Sequence, residues 1–259
     1  MIPIAGISLL YNGFVNGFIG WRAYRAFHTT GSFVFRFYYQ YSIILSIAFI
    51  VYGFSPTFTP NNVLLLRASY IIGGVFVLIS FAFLIRFIFL ALRRASLAAI
   101  VPFVSILCGV SIVIVGLLYP QDPYVDQYGL YHPNQSIPYD VVFSVAIALI
   151  TIPTGLLFMF SPFEDARQKI RSVLLWAGFF VASIGSLLAI TQNNPVVLAS
   201  GFALMSIGFT SMLLLFLFSP ALFAPQNSVR HQGAPRANDG AGNNIGGPMD
   251  SSNNSRNAY

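Results

Sequence analysis

Hydrophobic positions crowd into seven stretches of the chain, over residues 3–21, 35–54, 69–92, 95–119, 140–160, 172–191 and 196–218. Each is close to the roughly 20 residues that carry an α-helix across a bilayer's hydrocarbon core. The first has the most informative pattern. At about 100° per residue, Asn12, Gly13, Asn16, Gly17 and Gly20 share one arc of a helix, and Phe14, Val15, Phe18 and Ile19 share the other. In lipid the large face turns outward and the small, carboxamide-bearing face packs against other helices.

Small-residue stripes recur in the other stretches. Ser42, Ser46 and Gly53 align in the second, Ser69, Gly73 and Ser80 in the third, and Ser105, Gly109 and Gly116 in the fourth. The fifth carries Ser144, Ala148, Thr151 and Gly155; the sixth Gly178, Ala182, Gly185 and Ala189; the last Ala199, Ala203, Ser206 and Thr210. Each stripe gives its helix one face for close backbone approach, which any tight membrane bundle needs. The pattern predicts an all-α membrane protein, a bundle of seven transmembrane helices over residues 1–219. Residues 220–259 shift to Asn, Gly, Ser and Pro and are expected to form a disordered tail.

Charge adds a topology. The first, third and fifth connections carry Arg22, Arg25, Arg36, Arg93, Arg94, Arg167, Lys169 and Arg171, and the tail carries Arg230, Arg236 and Arg256. The second connection has only Arg67, and the fourth and sixth have no Lys or Arg. The positive-inside rule then places the N-terminus outside and the C-terminus in the cytoplasm, in what is expected to be the cell membrane. Arg86 falls near the inner end of the third stretch and is expected to snorkel to the interface.

Composition agrees: 8% of residues are charged, 56% are hydrophobic and 26 are Phe. A soluble domain carries about 25% charged residues. The net charge of +6 sits in the short inner clusters, so topology accounts for it and no nucleic-acid partner is expected. The lone Cys108 allows no internal disulfide, and Met1 to Gly20 lacks the basic start and cleavage region of a signal peptide. The tail has no prenylation ending.

Several chemistries are missing. The only lysine, Lys169, lies between spans, so no retinal Schiff base is available, and His28, His132 and His231 lie outside the spans, leaving no intramembrane pair for haem or metal. No Asp or Glu sits deep in a span, and no intramembrane serine has a His or Lys base. No enzyme and no cofactor are expected. Asn194-Pro195 opens the last span at its outer end without a following tyrosine, unlike G-protein-coupled receptors. Pro120-Gln121 stands in a loop rather than within a helix, unlike PQ-loop transporters.

Two groups of residues remain as candidate sites. Asn12, Asn16, Thr151, Thr154 and Ser183 offer polarity near mid-membrane, with Pro102 and Pro153 either shaping helices to their neighbours or making hinges. In the long outer loop, Asp122, Asp126, Tyr128 and Tyr131 belong either to a solvated cap or to a lid that contacts cations or sugars. That loop also holds an N-glycosylation acceptor, Asn134-Gln135-Ser136. Asn61-Asn62 and Asn193-Asn194 precede the third and seventh spans alike, so spans one to three and five to seven read either as a parallel repeat or as a chance similarity. The expected function is a non-enzymatic sensor, receptor-like or accessory module in the lipid bilayer. The alternative is a facilitative transporter of a small neutral solute, with three helices, one linker helix and three more. A protein partner at the cytoplasmic face or tail, and a homo-oligomer, are compatible with either.

Overall fold

The computed structural model describes residues 2–31, 33–91, 95–118, 122–134, 166–191 and 194–218, with residues 144, 145, 147, 148, 152 and 156 between them. Helix α1 (Ile4–Thr30) is inside-out by the standards of a soluble protein. Asn12 and Asn16 are 0% and 1% exposed, whereas Phe14 is 69% exposed. Water would drive the opposite arrangement, and hydrocarbon does not. The helix continues past Trp21 through Arg22 and Arg25, and the Arg25 guanidinium lies 5.3 Å from the centre of the Trp21 ring. It ends at Gly31, whose φ of 65° suits a residue without Cβ and whose N–H donates to Phe27 O at 2.8 Å.

Helix α2 (Phe33–Phe58) runs through Pro56 in its last turn. Helix α3 (Val63–Ala91) starts earlier than its apolar run suggests, because Asn62 Oδ1 accepts the N–H of Leu65 at 3.0 Å and caps it. Helix α4 spans Ala95–Leu118. Two short strands, β1 (Tyr124–Val125) and β2 (Tyr131–His132), pair antiparallel in the following loop. Helices α5 (Ala166–Thr191) and α6 (Pro195–Phe218) complete the described elements. Asn194 Oδ1 accepts the N–H of Val196 at 3.0 Å, with Pro195 as the first helical residue. Asn62 and Asn194 are thus both helix caps, so a local need at two helix starts accounts for the recurring asparagines.

Six helices among the described residues lie over six of the seven hydrophobic stretches. Of the fifth, 140–160, the described positions 144, 145, 147, 148, 152 and 156 are helical, and the rest, with Pro153, lies outside the described residues. The tail, 220–259, also lies outside them. Phe35–Phe58, Val63–Arg86, Ser96–Val115 and Pro195–Phe218 are long and apolar enough to cross a bilayer, and α5 adds the shorter apolar stretch Val173–Ala189. The protein is a helical membrane protein.

Within α1–α4 and within α5–α6, consecutive helices are neighbours. Helix α1 packs on α2, α2 on α3, α3 on α4 and α5 on α6, and α6 returns to α1. Small residues set the closest approaches. A Cβ on Gly13 would lie 2.8 Å from Ile50 Cγ1, and one on Gly201 would lie 2.6 Å from the backbone nitrogen of Ala189. Ser46 Oγ, on the α2 stripe, donates to Gly13 O at 2.7 Å. Arg86 is exposed, and its guanidinium sits 5.6 Å from the Phe37 ring near the start of α2.

Candidate functional site

The polar face of α1 meets α6 in a directed chain of hydrogen bonds. Asn12 Nδ2 donates to Ser206 Oγ at 3.1 Å, the Ser206 and Ser8 hydroxyls are 3.0 Å apart, and Ser8 Oγ donates to Phe202 O at 3.5 Å. Because Thr210 gives its proton to Ser206 O at 2.6 Å, Tyr11 is the donor in the 2.8 Å Tyr11–Thr210 contact. Asn16 Nδ2 donates to Asn12 O at 2.9 Å, within α1 itself. Asn12 Oδ1 is buried and has no partner among the described residues. This seam is packed, and Asn12 and Asn16 do not line the cavity of the bundle.

That cavity lies between α1, α2, α3, α5 and α6, with Ile147 also on its wall. Its volume, taken as the room open to the centre of a water-sized sphere, is about 70 Å³. A single water needs on the order of 10–15 Å³ on that measure, so the cavity is large enough for a small organic molecule. The lining is aromatic and aliphatic, with Leu45, Phe49, Val77, Phe179 and Phe209 on facing walls. Phe49 and Phe209 meet edge to face at 5.4 Å, and Tyr41 and Phe179 at 6.3 Å. Ser183 and Ser186 reach the wall, yet their hydroxyls donate to Phe179 O and Ala182 O in their own helix, each at 2.9 Å. Tyr41 is 2% exposed, lines the cavity, and has a hydroxyl without a hydrogen-bond partner among the described residues. No charged side chain lines the cavity among those residues.

The loop end is closed by the β1–β2 hairpin, through Tyr131 and Pro133. Tyr131 is 4% exposed and continues a run of rings, Tyr131 to Tyr70 at 6.3 Å and Tyr70 to Tyr52 at 5.4 Å. Three ties hold the hairpin. Gly129 O accepts the N–H of Ala5 at 3.1 Å in the first turn of α1, where Pro3 gives no side-chain cap. Asp122 pairs with Arg67 of α3. Asp126 Oδ1 accepts the N–H groups of Tyr128 and Leu130, each at 2.9 Å, while its Oδ2 meets His132 Nε2 at 2.9 Å. Burial by itself would raise the Asp126 pKa, but the bonds from His132, Leu130 and Tyr128 outweigh it and hold the carboxyl below its ordinary value. His132 stacks flat on Tyr124, its cross-strand partner, at 4.6 Å.

The outer-loop residues expected to act together therefore divide by role. Asp122 and Asp126 fasten the loop, Tyr128 is exposed, and Tyr131 reaches the cavity. Asn134, with a φ of 49°, donates from Nδ2 to Asp122 O at 3.4 Å. Of the mid-membrane group, Ser183 lines the cavity, Asn12 and Asn16 lie in the α1–α6 seam, and Thr151 and Thr154 lie outside the described residues. Tyr41 carries no mark in the sequence, because a tyrosine near the end of an apolar run reads as an interfacial residue. No protein-family model, curated protein or solved structure matches the chain.

Proposed function

We propose that the chain is a seven-helix membrane module of sensor or receptor-like type, with its N-terminus outside and its tail in the cytoplasm of a cell-membrane protein. It carries out no chemistry of its own. A ligand enters the cavity beneath the hairpin, and the protein responds by shifting the helices that form the wall. The observation that carries this reading is an apolar cavity inside the helical ring, roofed by a loop tied to the starts of α1 and α3. Ligand pockets of this kind are concave, mostly apolar and set between the helices of bundles. The sequential helix order, closed by α6 on α1 and open only between α4 and α5, suits seven spans with the fifth in the gap.

Facilitative transport is the competing reading, and it asks the α1 asparagines to face a solute path. Their hydrogen bonds to Ser206 and to the α1 backbone give it little support. Reconstitution into proteoliposomes separates the two. With glycerol, urea and glucose as test solutes, the module gives no flux above protein-free vesicles. Flux that disappears in the Asn12→Leu/Asn16→Leu double variant would establish transport and displace the module reading.

A further inference from the structure

We infer that α1 binds an anionic phospholipid along its outward face, with the lipid's phosphate held at the α1–α2 corner by Arg25 and Arg36. This site lies on the perimeter of the bundle and is independent of what the cavity holds. One stripe of α1 carries the complementary surfaces in order. Tyr11, Phe14, Phe18, Trp21 and Arg25 follow one another at spacings of three and four, and all are exposed. The Phe18 and Trp21 rings meet at 5.3 Å, and the Arg25 guanidinium sits 5.3 Å from the centre of the Trp21 ring. The stripe thus runs from rings that face hydrocarbon, through a tryptophan of the kind that marks the headgroup level, to a positioned cation. A phospholipid presents the matching series, from acyl chain to phosphate.

The cations at this corner are unneutralised. The chain has no Asp or Glu before Asp122, and the ion pairs among the described residues, Arg67–Asp122 and His132–Asp126, both belong to the hairpin. Arg25 and Arg36 are exposed and have no acidic partner among those residues. They also border one groove. Tyr24, beside Arg25, meets Tyr39 of α2 at 5.4 Å, and Tyr39 stands one turn from Arg36 on the same side of that helix. Arg86 of α3 adds a third cation near by, over the ring of Phe37. Guanidinium groups suit a phosphate, which each can meet with paired donors. A soluble anion would use the arginines and leave the aromatic stripe uncovered. A second copy of the chain would run its α1 parallel in the same membrane and set Arg25 against Arg25. An anionic lipid matches both the cationic end and the apolar length of this face.

Trp21 is one of two tryptophans, so Trp176→Phe leaves it as a reporter within the site. This full-length protein is placed in phosphatidylcholine nanodiscs carrying graded fractions of brominated phosphatidylserine or of brominated phosphatidylcholine. Quenching of Trp21 fluorescence then gives the relative affinity of the two lipids. The anionic lipid is expected to be preferred by about five- to thirtyfold, the factor for one to two cations near one headgroup. That preference is expected to fall severalfold between about 0.1 and 1 M salt. In Arg25→Gln/Arg36→Gln the two lipids are expected to quench alike, at the level the parent protein shows with brominated phosphatidylcholine, which also shows that α1 has kept its place. Equal quenching by the two lipids in the parent, a preference indifferent to salt, or a preference that survives in the double variant overturns the inference. So does a Trp21 that neither lipid quenches in the parent, the outcome expected if a second copy covers the stripe. Where the double variant fails to fold, the salt response of the parent decides. None of these outcomes alters the module reading, which solute flux tests separately.

Discussion

Gly129→Ala tests how firmly the hairpin is docked, and Gly31→Ala supplies its control. Both glycines have positive φ, 74° and 65°. A Cβ at Gly31 meets nothing within 4 Å, so Gly31→Ala measures backbone strain alone. That strain is about 1–2 kcal/mol for an L-residue in the left-handed region. A Cβ at Gly129 would be driven into Ile2 O and would lie 3.0 Å from the Ile4 nitrogen. The loop has to move away from α1, which also sacrifices the Ala5 N–H to Gly129 O bond, about 0.5–1.5 kcal/mol. The local cost at Gly129 is therefore about 1.5–3.5 kcal/mol and at Gly31 about 1–2 kcal/mol. Hydrogen exchange followed by mass spectrometry reads these energies as opening equilibria. Peptides covering residues 2–10 and 122–134 are expected to exchange roughly 10- to 300-fold faster in Gly129→Ala, while Gly31→Ala leaves both unchanged. Equal exchange at the first turn of α1 in wild type and Gly129→Ala would refute the docking and with it the capping of α1 by the loop.

Two further outcomes are expected. Asp126 is held below its ordinary pKa in the folded loop, so its contribution is complete above about pH 3.9 and is lost as the pH falls through the depressed value. Limited proteolysis of the hairpin should accordingly steepen only below about pH 4 in wild type, and in Asp126→Asn that acid-side step should vanish while cleavage at neutral pH rises. Asn12→Leu gives up one interhelical bond worth about 0.6–1.7 kcal/mol but also removes the orphaned Oδ1, whose burial costs about 1–3 kcal/mol, so stability is expected to stay level or rise. Ser206→Ala, which strands the Asn12 amide as well, is expected to lower the melting temperature, and the reverse order of the two variants in a thermal melt would contradict the assigned seam.

The helical class was readable because lipid leaves the sequence a plain record of itself. Phe14 and Asn12 stand two positions apart and are opposite in burial, as the arc pattern requires, but Val15 and Ile19, expected on the same outward face as Phe14, are 5% and 0% exposed because other helices cover that side of α1. Helix ends were harder, since apolar runs stop at charges while helices stop at caps. Helix α1 passes Arg22 and Arg25 before Gly31 ends it, and α3 begins at Val63, where Asn62 caps it, ahead of the expected Ser69. The small-residue seams were visible as stripes, and the Asn12–Ser206 bond joins two of them. The cavity was not visible. Its wall draws on residues from Leu9 to Phe209, which no periodicity within one helix brings together. The hairpin's ties were equally hidden, because Asp122 and Asp126 announce charge without naming Arg67 or His132 as partners.

The α1–α6 seam has a consequence for how the protein is made. Ser8 and Asn12 of α1 find their partner at Ser206, and Tyr11 finds its own at Thr210, nearly two hundred positions later in synthesis. Its first turn, likewise, waits for Gly129 to emerge before Ala5 has an acceptor. Until the last helix has entered the membrane, the first presents an unmatched carboxamide to lipid or to the insertion machinery. The opening helix is thus the last to be satisfied. A chain truncated before α6 carries that exposed amide as a mark of incompleteness, available to whatever surveys unfinished membrane proteins.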